Sequence, residues 1–274
     1  MFSSDVVLNA QEAVKQEDSK PPKEIESASL RNDQAIAKTL EENQIKWLKA
    51  GSKQFLGIFN EDISGAAKGS VLILPAPGNS PLADGLLPEL ASELSSHGWH
   101  SLAITLPELD FSGPVAAPDK EMPSAKDWYA KQQTSNMEKL LVRLLAAEAE
   151  LQANKGQYVL LVQGTTAELV LELLSSNVLK AAGFISLNIR HPVYQRSSKI
   201  ATNLAAVKTP ILDLYNVSDG GNSSKRKARQ QANELAGNYN QIYIPGNDIN
   251  FRGSEQLLIK RVRSWLKKNY SKTE

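Results

Sequence analysis

Cysteine is absent from the sequence, and charge of one sign is not in excess. The lack of cysteine excludes a disulfide framework, a thiolate zinc site and a cysteine nucleophile. The formal net charge of +1 gives no global field that would attract nucleic acid or an anionic membrane. No apolar run is long enough to span a bilayer, so we expect no transmembrane segment.

The N-terminal part of the chain has little apolar character. Its first residues lack a basic region and a long apolar core, so the chain as given shows no export signal. Residues 1 to about 30 are polar and rich in glutamate, lysine, serine and proline, a composition that is typical of flexible segments. We therefore predict a flexible or partly helical N-terminal segment at residues 1–43 and one domain at residues 44–274.

From residue 44 onward, short apolar runs alternate with helical patterns. A glycine turn at residues 50–52 separates two strand-like segments, residues 45–49 and 53–59, which predicts a β-hairpin. Further strands are predicted at residues 71–74, 101–106, 157–162, 183–187, 210–215 and 241–244. Helices are predicted at residues 32–43, 82–97, 137–153, 167–174, 225–235 and 255–268.

Continuously apolar strands that alternate with helices indicate a parallel sheet buried on both faces. Right-handed crossovers between such strands produce a doubly wound α/β sheet. The sequence therefore predicts an α/β fold in which the hairpin adds the antiparallel strands.

The order of these elements resembles that of the α/β-hydrolase superfamily. The motifs that support the resemblance are WLKAG at 47–51, FLG at 55–57, LP at 74–75, HGW at 97–99, PILDLY at 210–215 and RVRSWL at 261–266. Through them the chain is similar to a bacterial family of hydrolase-like proteins of unknown function, often exported in Gram-negative species. The resemblance implies a mostly parallel sheet of about eight strands. It suggests the periplasm, with the cytoplasm as the alternative because no export signal is seen.

The resemblance also implies a nucleophile in a G-x-S-x-G turn between the fifth strand and its helix. Residues 162–166 read VQGTT, which puts Gly164 at the nucleophile position. Glycine has no side chain that could attack a substrate. Because this turn is strained, we expect a left-handed backbone conformation at Gly164.

Two interpretations remain for the neighbouring Thr165 and Thr166. Either hydroxyl could be an unusual nucleophile if a base activates it. The other interpretation is structural: one threonine caps the following helix by accepting a hydrogen bond from a free amide. Helix starts commonly use threonine in this way, and we favour capping.

The acid and histidine positions are altered as well. The resemblance puts the acid after strand 210–215, where Asp219 is the candidate, although the Gly220-Gly221 pair equally predicts a turn aspartate. It puts the histidine at Ile249, which cannot transfer a proton.

Three histidines occur elsewhere in the chain. His191 follows strand 183–187 and is expected at the carboxyl edge of the sheet, where it could act as a displaced base. A histidine before a proline is more often an ordinary loop residue. We expect His97 and His100 to be surface residues at the opposite edge.

Residues 75–79, which read PAPGN, correspond to the loop that donates an amide to the oxyanion in active hydrolases. Pro77 has no N–H, but Gly78 or Asn79 could donate. Together with Gln163 and Thr165, these two residues define a predicted ligand cleft at the strand ends.

Two hypotheses of function follow. The first is a non-catalytic binding or scaffold protein whose cleft holds a small molecule or a protein. The alternative is a serine-hydrolase-like esterase or amidase that uses Thr165 or Thr166 with His191. Nucleotide-binding glycine motifs and metal-spaced clusters are missing from the sequence, so we expect no cofactor and no metal.

Overall fold

A computed structural model describes residues 27–82, 85–113, 124–152, 157–191, 197–233, 236–248 and 250–270. The polar stretch at residues 1–26 lies outside these ranges, so the expected flexibility of the tail stays a prediction.

The described residues contain one sheet of eight strands. They are β1 (Ile45–Ala50), β2 (Lys53–Asn60), β3 (Gly69–Leu74), β4 (Trp99–Ile104), β5 (Tyr158–Gln163), β6 (Gly183–Leu187), β7 (Ile211–Tyr215) and β8 (Tyr239–Tyr243). Their order in the sheet is β1-β2-β4-β3-β5-β6-β7-β8. Strand β2 runs antiparallel to β1 and β4, and all other neighbours are parallel. The predicted mostly parallel sheet of about eight strands is confirmed.

Helices cover both faces of this sheet. They are α1 (Ala28–Ala37), α2 (Leu86–Ser95), α3 (Ala125–Gln152), α4 (Gly164–Ser175), α5 (Ser197–Ala206), α6 (Asn222–Gln231) and α7 (Glu255–Tyr270). One apolar core contains side chains of α3, α4 and α5, and a second core contains side chains of α2 and α7. Strands β3, β5 and β6 are buried along their whole length, which explains their continuously apolar sequences.

Helix α1 packs against the domain although it belongs to the segment that the sequence separated from it. Asp33 in α1 is 1% exposed, and its Oδ2 accepts hydrogen bonds from the Leu56 amide at 3.1 Å and the Thr105 hydroxyl at 3.0 Å. Burial raises the pKa of the Asp33 carboxyl, while these hydrogen bonds and the charge of Arg143 oppose the shift. The carboxylate thus attaches the helix to β2 and to the end of β4.

Asp33→Ala should lower the free energy of unfolding by about 1–3 kcal/mol, because it leaves buried donors without their acceptor. Asp33→Asn retains one acceptor oxygen and should cost less. Urea denaturation measures both, with Asn32→Ala at an exposed position of the same helix as the control. Equal stability of Asp33→Ala and Asn32→Ala would show that the carboxylate does not hold the helix.

Candidate functional site

The turn between β5 and α4 has the backbone that was expected at the nucleophile position. Gly164 is the first residue of α4 and has φ +63°. Glycine adopts this left-handed conformation without the steric penalty of other residues. The assignment of Gly164 to the nucleophile position itself stays a prediction.

The space beside Gly164 is partly filled by Ala76, a residue of the loop after β3. A Cβ atom built on Gly164 would lie 3.3 Å from the Cβ of Ala76. A side chain at position 164 would therefore press against this loop unless the loop moved.

The side chain of Gln163 connects the loops on the two sides of this turn. It is buried, and its Oε1 accepts a hydrogen bond from the Ala76 amide at 3.3 Å. Its Nε2 donates to Oδ1 of Asn250 at 3.0 Å, in the loop after β8. The Ala76 amide, which lies in the predicted oxyanion loop, is thus already bound to a side chain of the protein.

Of the two candidate oxyanion donors, Gly78 and Asn79, Asn79 has a backbone amide that is engaged within the loop. Its amide donates to the carbonyl oxygen of Ala76 at 3.1 Å and closes a turn within the loop. Gly78 lies inside this turn with φ +79°.

The predicted capping role of Thr165 and Thr166 is also wrong. Helix α4 begins at Gly164, so both threonines lie inside its first turn and Gln163 occupies the cap position. No side chain caps the helix, since Gln163 points to the two loops instead. The Thr166 hydroxyl is fully buried and has no hydrogen-bond partner among the described residues.

Asp219 is engaged in structural contacts. Its Oδ1 lies 2.7 Å from Nη1 of Arg226, and its Oδ2 accepts a hydrogen bond from the Ser223 amide at the start of α6. Asn216, which follows β7 directly, contacts the loop after β8: its Nδ2 donates to the Asp248 carbonyl oxygen at 2.6 Å. The contacts of Asp219 fit the turn interpretation better than that of a catalytic acid.

The predicted histidine position, Ile249, lies outside the described residues. Its neighbours Asp248 and Asn250 are described, and neither carries the imidazole that a general base at this position supplies. Phe251, which follows, is fully buried with φ +61°. The assignment of position 249 stays a prediction.

The three histidines are all at least partly buried. The His191 side chain is 3% exposed, with Nε2 3.9 Å from Oε1 of the equally buried Glu168. His97 and His100 are half-buried at the surface, and the His97 side chain is 39% exposed. His97 Nδ1 contacts the Glu93 carbonyl oxygen at 2.7 Å, and His100 Nδ1 accepts from the Asp62 amide at 3.0 Å.

A cleft of 410 Å³ opens at the carboxyl ends of β5, β6 and β7. Of the predicted site residues it brings together Thr165, His191 and Asp219, whereas Gln163, Gly78 and Asn79 do not line it. Open α/β sheets bind ligands at this edge. The cleft is therefore the candidate site, displaced from the predicted loop toward β6 and β7.

Arg190 is a cleft residue that the sequence analysis missed. Its backbone amide donates to the Gly164 carbonyl oxygen at 3.3 Å, so it lies directly beside the β5–α4 turn. Burial lowers the pKa of the Arg190 guanidinium, and the carboxylate of Asp219 opposes that shift. The sequence indicated Arg190 only through its position three residues after the buried strand β6.

A buried ion pair beside the cleft was missed as well. Nε of Arg226 lies 2.7 Å from Oδ2 of Asp213, and both side chains are at most 1% exposed. Burial alone would lower the pKa of Arg226, but Asp213 and Asp219 outweigh it and raise the pKa above its usual value. The signal in the sequence was an aspartate inside the apolar strand β7.

Within the described ranges, no cluster of histidine or acidic side chains could hold a metal ion. None of the helices in these ranges is long and apolar enough to cross a bilayer.

The fold is that of solved α/β-hydrolases. A dienelactone hydrolase from Anabaena variabilis is 15% identical with a TM-score of 0.57, covering 83% of this chain and 100% of that chain. An esterase from Pyrococcus furiosus is 13% identical with a TM-score of 0.59, covering 83% and 91%. An alpha-beta serine hydrolase homologue from Coxiella burnetii is 14% identical with a TM-score of 0.54, covering 85% and 99%. These likenesses confirm the predicted fold and carry no statement about activity.

Residues 1–268 match a protein family described as "Protein of unknown function (DUF3530)". The predicted resemblance to a hydrolase-like family of unknown function is confirmed. No curated protein matches the chain.

Gly164→Ser should lower the free energy of unfolding by about 1–2 kcal/mol, the strain of a side chain at positive φ. Gly51 is a matched control, because it has φ +62° but no atom within 4 Å of its Cβ position. Gly164→Ser should therefore lose more free energy of unfolding than Gly51→Ser, because its side chain also presses against Ala76. Equal losses in chemical denaturation would show that Ala76 does not restrict the position.

Arg226→Met should lower the free energy of unfolding by about 3–5 kcal/mol, because it leaves two buried carboxylates without their cation. Arg263→Met is the control: the Arg263 side chain is 37% exposed and its Nη1 lies 3.1 Å from Oε2 of Glu93, a pair worth about 0–1 kcal/mol. Thermal and urea denaturation measure both. A loss at Arg226 no larger than at Arg263 would contradict the importance of the buried pair.

Proposed function

We propose that this chain, which belongs to the DUF3530 family, is a non-catalytic binding or scaffold protein built on the α/β-hydrolase fold. Its ligand, a small molecule or a segment of a protein, would lie in the cleft at the carboxyl ends of β5, β6 and β7.

One observation supports this proposal most strongly. Gly164 at the β5–α4 turn is the residue predicted at the position where active members of the fold carry their nucleophile. Ala76 lies against the place where a side chain at Gly164 would begin. The amide of Ala76 is bound to Gln163, so a substrate oxyanion would have to displace that side chain.

The cleft itself has the character of a binding site. Its lining includes the polar residues Arg190 and Ser218, and the apolar residues Ile189 and Ile200, which are each 2% exposed. A mainly concave surface with a few polar groups is the usual form of a ligand pocket. Binding there needs no group that reacts.

The alternative, an esterase or amidase with an unusual nucleophile, has one observation in its favour. Thr165 and His191 line the same cleft, although the His191 side chain is only 3% exposed. Thr166 is a weaker nucleophile candidate because it is fully buried.

A fluorophosphonate probe with intact-mass detection separates the two functions. We expect no covalent adduct on the wild-type chain, under conditions in which an active serine esterase is fully labelled. An adduct that Thr165→Val or His191→Gln removes would establish the alternative.

Gly164→Ser provides a second test, because it restores a hydroxyl at the turn without a base. We expect no turnover of p-nitrophenyl acetate above the uncatalysed rate, since Asp248 and Asn250 cannot act as imidazole does. Turnover by this variant, and not by the wild type, would mean that a base is already in place.

A further inference from the structure

A groove of 540 Å³ lies between the end of α2 and the length of α7. Lys68, which precedes β3, and Trp99, the first residue of β4, are among its lining residues, so it opens at the amino ends of these strands. The candidate cleft is at the carboxyl ends, and the two share no lining residue. The volume of the groove is within the usual range of ligand pockets, about 300–1,000 Å³.

Positive charge is concentrated in the lining of this groove. Among the described residues that line it, none is an aspartate or a glutamate, and four are cations: Lys68, Lys260, Arg263 and Lys267. The whole chain has a formal net charge of only +1. The groove is therefore a local excess of positive charge that the composition does not reveal.

Two carboxylates of α2 contact lining residues of the groove. Oε2 of Glu93 lies 3.1 Å from Nη1 of Arg263, and Oε1 of Glu89 accepts a hydrogen bond from Gln256. Nη2 of Arg263 donates to Nε2 of His97. The guanidinium is thus engaged by the protein itself, so the charge that remains for a ligand is that of the lysines.

The ammonium groups of Lys260 and Lys267 have no partner in the described part of the chain. Neither side chain forms a hydrogen bond or an ion pair there, and both residues are exposed. Lys68 is exposed as well, and its Nζ donates one hydrogen bond, to the His97 carbonyl oxygen at 2.9 Å, which leaves two donors. A ligand in the groove can therefore reach all three ammonium groups.

The spacing of the free lysines favours an anion with more than one charged group. Lys260 and Lys267 are seven residues apart on one face of α7, which separates their backbones by about 10.5 Å along the helix. A single carboxylate could contact both only if the two ammonium groups approached each other, and their repulsion opposes this. A ligand with several anionic groups can contact both, and Lys68, without bringing them together.

We infer that this groove binds a small polyanion, a molecule that carries two or more phosphate or carboxylate groups. Lysine binds either group as a point charge with rotatable donors. The exposed Ser264, on the same face of α7, adds a hydroxyl that can donate to an anionic oxygen. The bound anion would offset the repulsion among the three lysines. This site is separate from the proposed function of the cleft.

The first test is a titration of the full chain with pyrophosphate and, separately, with citrate, followed in ¹H–¹⁵N NMR spectra. Both should cause saturable shifts of α7 amides between Gln256 and Lys267 and should compete with each other. Acetate at the same ionic strength should bind at least about tenfold more weakly, because it has one charge to place between separated cations. No saturable shift with either polyanion, shifts centred on the candidate cleft, or equally tight binding of acetate would overturn the inference.

Substitutions in the last turn of α7 separate the groove from the general charge of the helix. At an ionic strength of about 0.15 M, Lys260→Met and Lys267→Met should each weaken pyrophosphate binding by about three- to tenfold. Lys268→Met is the matched control: it is exposed in the same turn as Lys267 and removes the same charge, but it does not line the groove. It should change the affinity by less than about twofold. Equal weakening by Lys267→Met and Lys268→Met would mean that the helix end attracts anions without a site, and the inference would fail.

A last measurement compares the small polyanion with the macromolecules that a basic groove could attract. An oligoglutamate peptide and vesicles that contain phosphatidylglycerol are each added to the full chain. Pyrophosphate should displace whatever fraction of either binds at α7. Binding at α7 that pyrophosphate does not displace would show that the surface docks an acidic protein segment or a membrane, and not a small polyanion.

Discussion

The buried ion pair between Arg226 and Asp213 holds α6 against the sheet, and the candidate cleft depends on it. Arg226 is the cation for Asp213 in the sheet and for Asp219 in the turn before the helix. The cleft at the strand ends takes part of its wall from that turn and from the first residue of α6. A guanidinium suits this position because its planar donors reach two carboxylates in fixed directions. The geometry of the cleft is thus set by a group of buried charges of which Asp219 lines the cleft.

Much of the fold could be predicted because the sheet is buried on both faces. Each predicted strand agrees with the observed one to within two residues at either end. The helices were harder. Helix α5 was missed because its buried apolar side chains span little more than one turn, from Ile200 to Leu204. The first half of α3 was missed because it buries a polar residue, Asn136, which binds Asp110 across the loop. Patterning of apolar residues detects elements that bury hydrocarbon and overlooks those held by hydrogen bonds.

The site was predictable only where local backbone geometry decides it. The conformation of Gly164 followed from the order of elements and from the short motif around it. The hydrogen bonds of the Gln163 side chain could not be predicted, because Ala76 and Asn250 are each 87 residues away in the sequence. The prediction that a threonine caps α4 was wrong for the same reason. Gln163 occupies the cap position, and its side chain forms hydrogen bonds with those distant loops instead. The carboxylate of Asp219 is likewise committed to Arg226, a partner that its own turn does not reveal.

The glycine at the β5–α4 turn has a consequence for how the sequence can change. A serine in this conformation carries strain of about 1–2 kcal/mol, which is a large share of the margin by which a domain stays folded. A chain with glycine there is free of that strain and can accept one more mildly destabilising substitution elsewhere before it unfolds. Loops around the strand ends can then diversify more widely than in a hydrolase that must retain its nucleophile. Under the proposed non-catalytic function, the glycine at this turn therefore increases the mutational tolerance of the surfaces around it.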